Sequence, residues 1–265
     1  MLRSAWSAAL LLVALPVCPP ARHLAAAEWG DLTGRFVFDG TASKPAPLSI
    51  TKDQEVCGKH ALVDESLLVN ASGSGLANVV IYLFVDRGGQ QPPIHESHAE
   101  AAKSSVALSN KDCRYEPHVA LLQTSQELVI GNRDTVGHNT KVDTFANPPI
   151  NPIIPAGAEL KQKFSQEERL PARVSCSIHP WMNAWLVVRN NPYFAVSNED
   201  GKFVIQNVPA GEWTFQVWHE KAGYVTSVKK NGAATQWSKG RFTTTIKPGA
   251  NDLGELSVPA TLFAK

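Results

Sequence analysis

The sequence predicts an all-β protein built from sandwich domains. Three observations carry this reading. Short runs rich in Val, Ile, Phe, Thr and Trp recur along the 265 residues. Gly, Pro, Asn and Asp separate them, as turn residues separate strands. One run, RFTTTIK (241–247), alternates Phe242, Thr244 and Ile246 with Arg241, Thr243, Thr245 and Lys247, the period of a half-buried strand.

Taken in order, the expected strands are GRFVFDG (34–40), NVVIYLF (78–84), ELVIGN (127–132), AWLVVR (184–189), KFVIQNV (202–208), EWTFQVWH (212–219) and RFTTTIK. NEDG (198–201) and VPAG (208–211) are turn signals between neighbours. Residues 88–112 are rich in polar residues and read as a loop with a helical turn or two. No internal repeat is visible. This pattern of strands and turns suits sandwiches.

The first 27 residues have a different character. Arg3 precedes an apolar run from Ala8 to Leu15, and Ala25-Ala26-Ala27 offers a small-residue cleavage site before Glu28. That is the pattern of a secretory signal, too short for a membrane span. It implies a periplasmic or secreted protein, cleaved near Ala27. The alternative is a lipoprotein anchored through Cys18, although Val17 precedes it where a small residue is preferred. The formal net charge is +1. With no polybasic surface, neither nucleic acid nor an anionic membrane is an expected partner.

Removal of the signal leaves three cysteines, Cys57, Cys113 and Cys176. An odd number in an oxidising compartment suggests one disulfide, Cys57–Cys113, and one thiol kept for chemistry. The alternative is three unrelated buried thiols.

Cys176 begins CSIHPWM (176–182), which places a thiol, an imidazole and a thioether at C-x2-H-x2-M: Cys176, His179 and Met182. A second imidazole, His138, stands upstream in GNRDTVGHNT (131–140). Loops at one end of a sandwich meet although they are distant in sequence. Two imidazoles and a thiolate with a weak axial thioether form the donor set of an electron-transfer copper site. Zinc accepts the same Cys and His residues but rarely recruits a thioether.

CSIHPWM resembles the ligand loop of the cupredoxins, the type 1 blue copper proteins, in its short, amicyanin-like form. PHVALLQTSQELVIGNRDTVGHN (117–139) is similar to the segment in that family that leads to N-x-D-x-x-x-H-N. The resemblance spans roughly residues 106–190. It implies a Greek-key β-sandwich holding one type 1 copper through His138, Cys176 and His179, with Met182 axial. Asn139 corresponds to the residue that ties the two ligand loops together, and Ser177 is its counterpart beside the cysteine; such outer bonds orient ligands and tune a metal. The resemblance further implies that the edge of His179 lies near solvent. Pro180 and Trp181 then form an apolar docking patch for a redox protein such as a c-type cytochrome; the alternative is that Trp181 folds inward as core, or that another domain covers this end.

A softer resemblance covers PYFAVSNEDGKFVIQNVPAGEWTFQVWHEKAGYV (192–225). It looks like the D-G-x-F-x-I-x-x-V-P-x-G pattern of carboxypeptidase-regulatory-like domains and of the middle domain of rhamnogalacturonan lyases. That implies a second small sandwich, a spacer or a module for a glycan or protein ligand. The expected organisation is a signal peptide (1–27), an N-terminal β extension open to integration with the next unit (28–105), a cupredoxin-like copper domain (106–191) and the second sandwich (192–265). His118 is read as a core imidazole, with contact to a second metal as the alternative. His219 is read as structural, and His95 and His98 as residues of a solvated loop.

G-x-S-x-G, H-E-x-x-H, C-x-x-C-H and a phosphate loop are all missing from the sequence. The expectation is therefore an exported single-electron carrier and not an enzyme. Two alternatives are a glycan- or protein-binding module whose copper part is structural or stores copper, and a catalytic copper or zinc site.

Overall fold

The computed structural model describes residues 28–264. The expected export signal, its cleavage point near Ala27 and the lipoprotein alternative at Cys18 lie outside the described residues. Among the described residues, no helix is long and apolar enough to cross a membrane.

The protein is all-β, and all seven expected strands form. The middle of the chain makes one sandwich. Its first sheet orders the strands Glu159–Gln162, Glu127–Asn132, Ser105–Lys111 and Arg114–Glu116. Its second orders Val119–Gln123, Asn183–Arg189, Ala172–Ser175 and Lys141–Asp143. Between the sheets lie Leu108, Leu122, Leu128, Ile130, Phe164, Val174, Leu186 and Val188, all fully buried. Cys176 and Met182 belong to the same cluster.

A second sandwich uses both ends of the chain. One of its sheets orders Lys202–Pro209, Trp29–Asp39, Gly249–Pro259, Ser227–Lys230 and Ala233–Gln236. The other orders Phe194–Val196, Val80–Leu83, Gly211–His219 and Gly223–Tyr224, with Arg241–Ile246 also paired to Gly211–His219. The segment 28–105, read as open to integration with 106–191, therefore gives its two main strands to the C-terminal sheets. Trp29–Asp39 runs antiparallel to Lys202–Pro209 and parallel to Gly249–Pro259. Its Leu32, Phe36 and Phe38 fill the core that Phe203, Ile205, Leu256 and Val258 line from neighbouring strands. The turn NEDG forms where expected. Gly201 has φ +79°, and a Cβ there would meet the Phe36 carbonyl oxygen at 2.0 Å, so only glycine fits.

The two sandwiches share a third, smaller cluster of Val80, Tyr82, Val119, Val187 and Trp218. This explains why AWLVVR is almost continuously apolar. Ala184, Leu186 and Val188 face one core while Val187 faces the junction, so the strand is buried on both faces. The Arg189 guanidinium lies 4.0 Å from the Tyr82 ring centroid, and the Trp185 and Trp218 rings meet at 4.8 Å.

One strand lies where a loop was expected. Ser105–Lys111 pairs with Glu127–Asn132 and Arg114–Glu116. Its polar SVALSNK composition hides it, because only Leu108 and Asn110 are buried and Val106 packs part-buried beside them. Cys57 and Cys113 form a disulfide with Cα atoms 5.4 Å apart, closing 56 residues of sequence. Among the described residues, Cys176 is the free cysteine. In the chain-entropy model a loop of that length contributes up to about 4 kcal/mol.

Candidate metal centre

The hairpin connection explains the spacing C-x2-H-x2-M. Strands Ala172–Ser175 and Asn183–Arg189 pair antiparallel, with Ser175 opposite Asn183. The segment 176–182 must close between those two residues. It does so with Cys176 N donating to the Met182 carbonyl at 3.3 Å and Met182 N donating to the His179 carbonyl at 2.9 Å. A closure this tight leaves the three side chains near one another.

His138 arrives on the short strand His138–Asn139, which pairs with Ile153–Ile154. The polar turn before it is built on Asn132. Its side-chain amide donates to the carbonyls of Val136 and Ile154 at 2.8 Å each, and its side-chain oxygen accepts from Asp134 N at 3.0 Å. Asn139 then joins the two loops. Its Oδ1 accepts from Ser177 N at 2.7 Å and Ile178 N at 3.2 Å, and it lies 3.3 Å from Cys176 Sγ. The tie to Ser177 runs mainly through that backbone amide, since the contact between the two side chains is 3.5 Å.

His138 Nδ1 and His179 Nδ1 face each other at 2.9 Å, and Cys176 Sγ is 3.8 Å from His179 Nδ1. Ligand atoms of His138, Cys176 and His179 all lie within 4.8 Å of one another. Both histidines are fully buried, with Cys176 and Met182 at 3% and 1% exposure. Each far ring nitrogen meets a carboxylate: His138 Nε2 lies 2.8 Å from Asp134 Oδ2, and His179 Nε2 lies 2.7 Å from Asp53 Oδ2. A carboxylate accepts, so each Nε2 keeps a proton. The Nδ1 atoms are left to face each other beside the thiol.

The electrostatics agree with that arrangement. Burial opposes a charge on His138, but Asp134 and Cys176 outweigh it and raise its pKa to about 9. Burial raises the Cys176 thiol, yet His138 and the surrounding hydrogen bonds bring it below its ordinary value. Burial lowers His179, and the neighbouring His138 adds to this against the pull of Asp53. A proton on one Nδ1 satisfies the other across the 2.9 Å contact. His138, Cys176 and His179 would hold a soft cation through two imidazoles and a thiolate, with the buried Met182 thioether in the same cluster. The donor set fits copper.

A second group of possible ligands, Cys113, Asp134 and His138, is not available as a set, because Cys113 is spent in the disulfide. His118 sits instead at the junction of the sandwiches, between Glu220 and Glu65. His219 is buried with its ring edge-on to Phe263, in keeping with a structural role. His95 caps its own short turn, and His98 bonds the Gln206 carbonyl.

Two expectations are corrected. His179 does not present an edge to solvent, because Asp53 covers it and the residue is 0% exposed. Pro180 is exposed, but Trp181 is only half so: its ring lies 5.1 Å from that of His179 and its Nε1 donates to the Cys113 carbonyl at 3.1 Å. Sequence reasoning also missed both carboxylates. Asp134 carried a usable signal, standing four residues before His138. Asp53 carried none, since it reaches His179 across 126 residues.

No family model matches the chain, and no curated protein matches it. Solved structures align over part of it. A Cu(I) form of an amicyanin variant covers 32% of this chain and 82% of its own, at 15% identity and TM-score 0.29. The Cu-containing nitrite reductase from Thermus scotoductus SA-01 covers 40% of this chain at 18% identity and TM-score 0.30, and the match spans only 25% of that enzyme. A purple cupredoxin from Nitrosopumilus maritimus covers 32% of this chain and 99% of its own, at 21% identity and TM-score 0.27.

Proposed function

We propose that the protein is an exported, mononuclear type 1 copper protein that carries single electrons between redox partners. The observation that carries this reading is the convergence of His138 Nδ1, His179 Nδ1 and Cys176 Sγ in one buried pocket, with both Nε2 protons committed to carboxylates. Copper, when bound, supplies a one-electron couple in a mixed soft and borderline donor set.

The chain's own residues supply the rest. Cys176 and His179 sit on one hairpin closure whose ends are fixed by strand pairing. His138 is fixed by its own strand, and Asn139 locks the two together. Donors held this way move little when the charge between them changes. Burial of all four side chains keeps water away from the thiolate. Met182, buried in the same cluster, would supply the fourth ligand, and a site filled by four protein donors would suit a carrier and not an enzyme.

The partner in this reading is a redox protein such as a c-type cytochrome. Because Asp53 closes the His179 edge, the route to the surface in this reading runs through half-buried Trp181, whose ring lies tilted 5.1 Å from that of His179. Exposed Pro180 lies beside it. Titration of the metal-free protein with Cu(II), followed by reversible reduction, tests the proposal. One copper per chain and one electron per copper are expected; two coppers, or a site that cannot be reduced and reoxidised, contradicts it.

A further inference from the structure

We propose that Asp53 is a positioning residue for His179, and that the Cys57–Cys113 disulfide holds Asp53 in place, making the disulfide part of the metal centre. This rests on the metal-centre reading above and adds to it a component that neither the ligand spacing nor the loop resemblance contains.

Asp53 stands immediately before the single helical turn Gln54–Cys57, in the N-cap position. An aspartate there ordinarily turns its carboxylate onto the free amides of the first turn. This one makes no such bond. Its backbone sits in the left-handed region, at φ 47° and ψ 44°, and its carbonyl accepts from Val56 N and Cys57 N. The side chain points away, and Oδ2 meets His179 Nε2 at 2.7 Å. The residue forgoes the cap and adopts an uncommon backbone conformation, while its carboxylate fixes which nitrogen of a candidate ligand stays bare.

The turn that carries Asp53 is tethered four residues later, where Cys57 is bonded to Cys113. Cys113 in turn touches the opposite side of the site. Cys113 N and Asp112 N donate to Asp134 at 2.9 and 2.7 Å, and Asp134 holds His138 Nε2. The Cys113 carbonyl accepts from Trp181, whose ring lies tilted against that of His179 at 5.1 Å. The connections close a ring: Asp53, His179, His138, Asp134, Cys113, the disulfide, Cys57 and back to Asp53. The disulfide is the one covalent link in that ring between two segments distant in sequence. The other contacts between these segments, His60 with Asp112 at 3.8 Å and Glu65 with Arg114 at 3.2 Å, are part-exposed ion pairs farther along the chain from Asp53, so the disulfide is the nearest and the covalent tether of the turn. Outer partners of ligating histidines set ring orientation and tautomer, and losing one typically weakens metal binding 10–100-fold.

The test uses the full chain and two readouts. In the metal-free protein, NMR of the ring protons reports the His179 Nε2–H. We expect a protected, slowly exchanging proton in the wild type, and loss of that protection in Cys57→Ser/Cys113→Ser although Asp53 is intact. With Cu(II) as the probe, Asp53→Ala is expected to raise the dissociation constant about 10–100-fold, and Asp53→Asn, which keeps an accepting oxygen, to recover most of it. Asp53→Ala retains the disulfide, so it remains informative if the double variant does not fold. Wild-type copper affinity in Asp53→Ala, or a protected His179 proton in a folded disulfide-free variant, overturns the proposal. If the wild type itself takes up no copper through Cys176, the functional reading fails, and the ring-proton measurement still decides whether the disulfide holds Asp53 on His179.

Discussion

His138 and His179 turn their Nδ1 atoms toward each other at 2.9 Å, while a separate carboxylate takes the Nε2 of each. At that distance a proton on one Nδ1 is shared with the other. The thiol of Cys176 is drawn below its ordinary pKa beside them. In the proposed function these donors suit a soft, redox-active cation.

Asn139 is the first residue to test. Its Oδ1 is the acceptor for Ser177 N and Ile178 N. Asn139→Ala leaves these two amides without their partner, so denaturant unfolding should show a loss of about 1–3 kcal/mol. Copper affinity should fall in parallel, by roughly 10–100-fold. Unchanged stability and affinity would show that the two loops are held by something else.

Met182 tunes the site and does not build it in this account. Met182→Leu is expected to retain copper, because the other three donors are untouched. Its reduction potential should rise, since a thioether that favours charge on the metal is lost. Voltammetry decides the matter, and a lowered potential would mean that Met182 is not the axial donor.

The junction of the sandwiches should make stability depend on pH. His118 lies between Glu220 and Glu65, with Arg114 bonded to Glu65 at 3.2 Å. Burial opposes the charge on His118, but the two glutamates outweigh it and raise its pKa from 6.5 to about 9. The folded value lies above the unfolded one. The contribution is therefore full below pH 6.5 and is lost as pH rises through about 9. It is at most about 3 kcal/mol. Glu220→Gln should flatten urea-unfolding stability over that interval; a variant with the wild-type profile would rule out this ion pair as the source.

Trp181 is the proposed contact for a redox partner. Trp181→Asp should slow electron transfer to a soluble acceptor several-fold and leave the visible spectrum nearly unchanged. Stopped-flow mixing reads the rate. No change in rate would move the docking surface elsewhere.

The sequence carried much of this structure, and its omissions have physical causes. Strands such as Glu127–Asn132 and Gly211–His219 announce themselves because local composition reflects burial. Ser105–Lys111 does not, because most of its outward side chains are polar and only two residues are fully buried. The pairing of Trp29–Asp39 with strands some two hundred residues later depends on contacts that no local pattern encodes. The same division runs through the site. Cys176, His179 and Met182 share one hairpin closure, so their spacing is visible in seven letters. Asp53 is invisible because its role exists only once the tethered turn lies across His179.

The visible absorption spectrum of the Cu(II)-loaded protein, recorded beside that of Cys176→Ser, tests the central claim most directly. The account predicts an intense thiolate-to-copper band in the wild type and its complete loss in a folded Ser variant. A colourless wild type, or a band that survives in Cys176→Ser, would contradict it.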